Sequence, residues 1–71
     1  MIVPGLVEPL SSRDIEVLQL LAAGRRNQEI ARELVVAVST VKKHVSHIFD
    51  KLGAANRTQA TARARELGLL S

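Results

Sequence analysis

The residues with the most chemistry to offer lie between Ser39 and Leu52. Read as a helix, this stretch divides into two faces. Val41, Val45, Ile48 and Leu52 follow i, i+4, i+7, i+11 spacing and share one side. Lys43, Ser46, His47 and Asp50 share the other, with Lys42 at its margin. The first face wants a protein core. The second presents hydrogen-bond donors and positive charge, with almost nothing apolar. A short helix that docks by one side and offers Lys, Ser and His on the other suits the major groove of duplex DNA. A polar outer face is also the ordinary state of an amphipathic helix, so this helix alone does not decide. His44 and His47 stand three residues apart, but no third metal ligand accompanies them, and the chain has no cysteine.

Composition narrows the choice. The chain has 71 residues, enough for one domain. A domain of that size buries only about 60% of its unfolded surface, so its core is marginal. No apolar run approaches the roughly 18 residues of a membrane span, and no signal peptide is visible. These features, with the absence of cysteine, are compatible with a cytoplasmic location and no membrane partner. The net charge of +3 tilts toward a polyanionic partner. Its distribution says more. From Leu34 through Phe49 there are lysines and histidines and no acid, while Arg25, Arg26, Arg32, Lys51 and Arg57 lie just outside. Phe49 is the sole aromatic residue, which argues against the stacking platforms of single-strand binders.

The elements that must position this face are well marked. Residues 1–9, punctuated by Pro4, Gly5 and Pro9, read as a lead-in or linker, and residues 10–71 as the domain. A first helix begins after Ser11, an N-cap whose capping box Asp14 can complete, with Leu10 and Ile15 placed for a hydrophobic staple. Ile15, Leu18, Leu21 and Ala22 form its apolar stripe, Val17 and Leu20 widen it, and Gly24 stops it. A second helix is expected from Asn27, as cap, to about Leu34, with Ile30, Ala31 and Leu34 as its apolar edge. Three arginines near its start, Arg25, Arg26 and Arg32, resemble a phosphate clamp, although a solvated loop is the plainer reading of that segment. Val35–Ala37 reads as a tight apolar turn, since β-branched residues there have no partner strand. The third helix runs from about Val38 or Ser39 to Leu52, and Gly53 ends it. A fourth begins at Asn56, with Gln59 at its third position, and ends near Leu67 before Gly68. Ala60, Ala64 and Leu67 form its inner face. The expected fold is all-α, a four-helix bundle.

Short helix, tight turn and a second helix with a basic outer face form a helix-turn-helix. The chain resembles the DNA-binding domain of LuxR-type (GerE- or FixJ-type) bacterial transcription regulators. The resemblance rests on Leu10-Ser11-x-Arg13-Asp14-x-Glu16-Val17-Leu18, Asn27-x-Glu29-Ile30-Ala31 and Thr40-Val41-Lys42-x-His44, then Lys51-Leu52-Gly53 and Asn56-Arg57-Thr58-Gln59-Ala60. It covers roughly Leu10 to Leu70. The ending and lead-in look most like the C-terminal module of large ATP-binding regulators similar to the maltose regulator.

The resemblance implies duplex DNA binding as a dimer, under control of a separate sensor or receiver part, with RNA polymerase as a further contact and no cofactor. By position, Lys42, Lys43 and Ser46 approach base edges, and the helical wheel adds His47. Thr40, Asn27, Lys51 and Arg57 fall at or beside phosphates, where Arg26 and Ser39 are expected to join them. Ala60, Ala64 and Leu67 are the expected dimer interface, with pairing that forms only on DNA one version of it. Glu16 is expected as a structural partner of a basic residue such as Lys51 or Arg57. Three departures stand out. Ala37 and Arg26 replace the serines that commonly cap the third and second helices, each a loss of about 1 kcal/mol. Asn27 and Ser39 are the expected substitutes, shifting each helix start. Asp50 puts a carboxylate on the outward face, where contact with DNA is expected to end. The rival to DNA binding is a four-helix protein-interaction adaptor; fold alone does not separate the two. An enzyme is least expected, because no carboxylate pair, Ser–His–Asp set or phosphate-cradling glycine motif is present.

Overall fold

The computed structural model describes residues 10–70. The lead-in expected over residues 1–9 lies outside them. The chain folds into α1 (Ser12–Ala22), α2 (Asn27–Leu34), α3 (Val38–Leu52) and α4 (Arg57–Glu66), with no strand among the described residues. The all-α expectation and the helix order are matched.

α1 starts as its sequence dictates. The Ser11 hydroxyl accepts from the Asp14 N–H at 3.0 Å, and the Asp14 carboxylate accepts from the Ser11 N–H at 3.1 Å. α4 starts on Asn56, whose side-chain oxygen accepts from the Gln59 N–H at 2.9 Å. The Gln59 side chain reaches back one residue further than a simple box and accepts from the Ala55 N–H at 2.8 Å.

The expected shifts of α2 and α3 do not occur. The N-caps are Arg26 and Ala37, and Asn27 and Ser39 lie inside their helices. An arginine side chain has no acceptor for first-turn N–H groups. The α2 start is held from the other direction, by Glu29 accepting from the Arg26 N–H at 2.8 Å. No side chain caps α3.

All four helices close in the same way. The residue in left-handed conformation donates three residues back, and the next N–H donates five back. Gly24, Gly53 and Gly68 fill that position in α1, α3 and α4. In α2 it is Val35, at φ 57°, a conformation disfavoured for a β-branched residue.

α1 and α3 form a central pair. α2 packs on both from one flank and α4 on both from the other. The buried core is Leu10, Val17, Leu18, Leu21, Ile30, Ala31, Val41, Ile48, Leu52, Ala60 and Ala64. Leu10 and Ile15 both join it, as the staple requires. The α1 stripe is rotated from expectation. Val17 is at its centre, Ile15 and Ala22 are half-buried, and Asp14 is buried with Leu18 and Leu21.

Candidate nucleic-acid interface

α3 owes its orientation to its inner face. Val41 and Ile48 are completely buried, Leu52 is nearly so, and Val45 is half-buried. Ile30 and Ala31 of α2 are buried in the same core, with Leu34 packed against it. That arrangement turns Lys42, Lys43, Ser46 and His47 outward, and all four are exposed. They occupy two successive turns and span about 7.5 Å along the axis at 1.5 Å per residue. Asp50 is exposed one turn further on.

The residues expected at phosphates divide into two groups. Arg26 and Ser39 are exposed, and Asn27 and Thr40 half-buried, at the starts of α2 and α3. Lys51 and Arg57 already have protein partners. The Lys51 ammonium is 3.7 Å from the Asp14 carboxylate. The Arg57 guanidinium donates to the Arg25 carbonyl oxygen and ties the start of α4 to the turn before α2.

Asp14 is the residue the sequence reading undervalued. Beyond capping α1, its side chain is only 2% exposed and gathers groups from two elements. His44 Nδ1 lies 2.7 Å from one carboxylate oxygen, and Ser11 N–H and Lys51 meet the other. Burial by itself would raise the Asp14 carboxyl. The His44 bond, the Ser11 backbone and hydroxyl bonds and the Lys51 charge together outweigh it, and the group is held below its ordinary value. A carboxylate accepts only, so the His44 Nδ1 carries the hydrogen. The two histidines therefore part ways: His44 turns inward and His47 outward. Glu16, the expected partner of Lys51 or Arg57, instead pairs with Arg13 at 3.2 Å on the surface. The signal for Asp14 was present. Asp14, Leu18 and Leu21 are spaced i, i+4, i+7, on the buried stripe.

The expected dimer residues face the chain's own core. Ala60 and Ala64 have no exposed surface, because both are packed into the chain's own core, and Leu67 is half-buried against it. Ala60 and Ala64 have no surface to offer a second copy in this fold, while Leu67 keeps part of its own. Outward, α4 presents Thr58, Ala62 and Arg65, with Thr61 half-buried beside them. These residues line a groove of about 330 Å³ with Leu21, Ala22 and Gly24 at the end of α1. No helix among the described residues is long and apolar enough to cross a membrane.

A helix-turn-helix with a polar, basic outer helix on a three-sided scaffold defines a class of DNA-binding regulators. Residues 8–64 match the GerE profile, described as bacterial regulatory proteins of the luxR family, and the chain belongs to that family. It is a DNA-binding output domain of a transcription regulator. It is 48% identical over 65 residues to the uncharacterized transcriptional regulatory protein YxjL of Bacillus subtilis, covering 92% of this chain and 30% of YxjL. It is 42% identical over 67 residues to the HTH-type transcriptional regulator MalT of Serratia proteamaculans, covering 92% of this chain and 7% of MalT. The solved structure of the transcription factor GerE superposes with a TM-score of 0.82 at 35% identity, covering 87% of this chain and 92% of GerE. MalT is thus among its relatives, and the higher identity to YxjL shows that the likeness extends beyond maltose-regulator-like proteins. The chain spans less than a third of the length of either curated relative.

Proposed function

We propose that the chain reads duplex DNA by laying α3 in the major groove, with Lys42, Lys43, Ser46 and His47 at base edges. The observation that carries this reading is the division of α3. Four donor-bearing side chains are exposed on one side of a helix whose other side is sealed into the core. Lys42 has the stem length for a guanine O6/N7 edge, whereas the short Ser46 side chain suits a deep or water-mediated contact. Arg26, Asn27, Ser39 and Thr40 gather at the starts of α2 and α3, where the helix dipole and free N–H groups favour a phosphate. Buried and paired, Asp14 adds no negative charge to that surface.

Two copies bind together in this reading, through the outward side of α4. Thr58, Thr61 and Ala62 are small enough for close approach about a two-fold axis, with Arg65 beside them. Half-sites then lie about one helical turn apart. In this reading the domain works as part of a larger regulator, as in YxjL and MalT, of which the matched region is 30% and 7%.

Selection of bound duplexes from a random pool, followed by titration of Lys42→Ala, tests the docking. A base contact predicts a loss of about 1–3 kcal/mol on the selected site and relaxed preference at one position. Equal losses on every duplex, with the salt slope reduced by about one, would remove Lys42 from the bases. Binding that ignores ionic strength would remove the DNA reading itself.

A further inference from the structure

Lys51 occupies a position the family pattern places beside phosphate, yet its ammonium is directed to the Asp14 carboxylate, 3.7 Å away. His44, also on α3, reaches the same carboxylate at 2.7 Å. The two residues are seven apart, two turns of helix, or about 10.5 Å along its axis. A helical side chain leans toward the N-terminus of its helix, so the long Lys51 stem runs back toward His44 and the two meet at one point on α1. That point is itself fixed, because Asp14 is bonded to Ser11 at the start of α1 and is 2% exposed. The apolar stripe of Val41, Ile48 and Leu52 holds α3 against the core but has no directional preference. The His44 hydrogen bond does, and the Lys51 ion pair adds a second restraint on distance. Attachment from two levels of the helix sets both its roll about its axis and its position along it. Lys43 is next to the first of these levels and His47 lies between the two, both exposed, so a small roll at Asp14 displaces them.

We infer that Lys51 and His44 serve DNA recognition from inside the protein, as positioning residues held by Asp14, and that Lys51 makes no phosphate contact. This rests on the DNA-docked reading above and assigns it a residue-level device. Misplacing α3 mislays several base-edge contacts at once, and a good bidentate one is worth about fivefold or more in discrimination. It leaves the non-specific, counterion-driven attraction intact.

The test is fluorescence anisotropy with the selected duplex and a scrambled one, across a series of salt concentrations, for the unaltered chain, Lys51→Met and Asp14→Asn. Methionine keeps the apolar stem of Lys51 and removes its charge. Asparagine keeps one acceptor oxygen, enough for His44 or for the Ser11 N–H but not for both, and removes the ion pair. The inference expects both variants to lose about tenfold or more on the selected duplex and less than about twofold on the scrambled one. It also expects the salt slope of the unaltered chain in each. A Lys51→Met slope lower by about one, with equal weakening on both duplexes, makes Lys51 a phosphate contact and overturns the inference while the DNA reading stands. Variants that stay folded by circular dichroism and discriminate as well as the unaltered chain overturn it too. So does a failure of both to fold, which would make the cluster a stability element alone. An unaltered chain with no salt-dependent affinity for either duplex would sink the underlying reading instead.

Discussion

Replacing Val35 with glycine should make this domain more stable, although valine is the better residue nearly everywhere else. Val35 ends α2 at φ 57° and ψ 50°, and its N–H and that of Val36 donate to Arg32 and Ala31 at 3.4 and 2.9 Å. Those bonds require a left-handed residue at position 35, so the backbone cannot relax without opening the turn between α2 and α3. An L-residue pays about 1–2 kcal/mol to sit there, and a β-branched one is among the worst placed to do so. The Val35 side chain is 88% exposed, so its removal surrenders almost no burial. Glycine escapes the steric cost but brings about 0.5–1 kcal/mol of extra freedom to the unfolded chain. The balance is a stabilisation of about 0.5–1 kcal/mol. For a domain of this size that raises Tm by about 2–8 °C. Thermal melts followed by far-UV circular dichroism measure it, and urea titration with an unchanged m value confirms that only stability moved. The control is Val36→Gly, one residue on, where the side chain packs against the core and a loss is expected. A Val35→Gly Tm at or below that of the unaltered chain would refute the reasoning, because the strain would then be absent or already compensated.

Two further perturbations probe the scaffold. Ala60→Leu should cost about 1–3 kcal/mol through overpacking, since Ala60 has no exposed surface. Its Tm should drop at every protein concentration, whereas a change confined to self-association would return Ala60 to a dimer interface. Acid should act through Asp14. Its carboxyl is depressed in the folded state, so its stabilisation is present above the ordinary value of 3.8 and is lost as pH falls below it. Tm of the unaltered chain should decline over that range more steeply than Tm of Asp14→Asn, and parallel declines would remove Asp14 from the acid response.

The scaffold was legible because its punctuation is local. Ser11 with Asp14, Asn56 with Gln59, and Gly24, Gly53 and Gly68 each act within a few residues of themselves. Helix bounds followed from these, and the outward set on α3 followed from a wheel drawn on Val41, Ile48 and Leu52. What was missed depends on partners far along the chain. Asp14 and His44 are 30 residues apart, and each is individually ordinary as a cap and as a flank residue. Only packing of α1 on α3 turns them into a pair, although both occupy helical positions in register with buried neighbours. Ala60 and Ala64 show the converse. Small residues permit close helix approach, but the sequence cannot say to whom. α1 and α3 claim that face first, because a domain of this size has no apolar surface to spare. Val35 was invisible for a different reason: glycine announces a left-handed stop and valine does not.

The distribution of helix caps follows the division between scaffold and reader. α1 and α4 begin with side chains that accept from their first turns, Ser11 and Asn56. α2 and α3, the two helices of the helix-turn-helix, begin at Arg26 and Ala37, which supply no such acceptor. Each missing cap costs about 1 kcal/mol in the free domain. In the proposed docking both open ends meet the sugar–phosphate backbone, and a phosphate oxygen supplies the missing acceptor with a full negative charge against the helix dipole. Arg26 then adds a cation where a serine would have sealed the helix. In that docking the stability given up by leaving these two ends open would be regained on DNA and not before, so duplex DNA should stabilise this domain by more than it stabilises an Ala37→Ser variant.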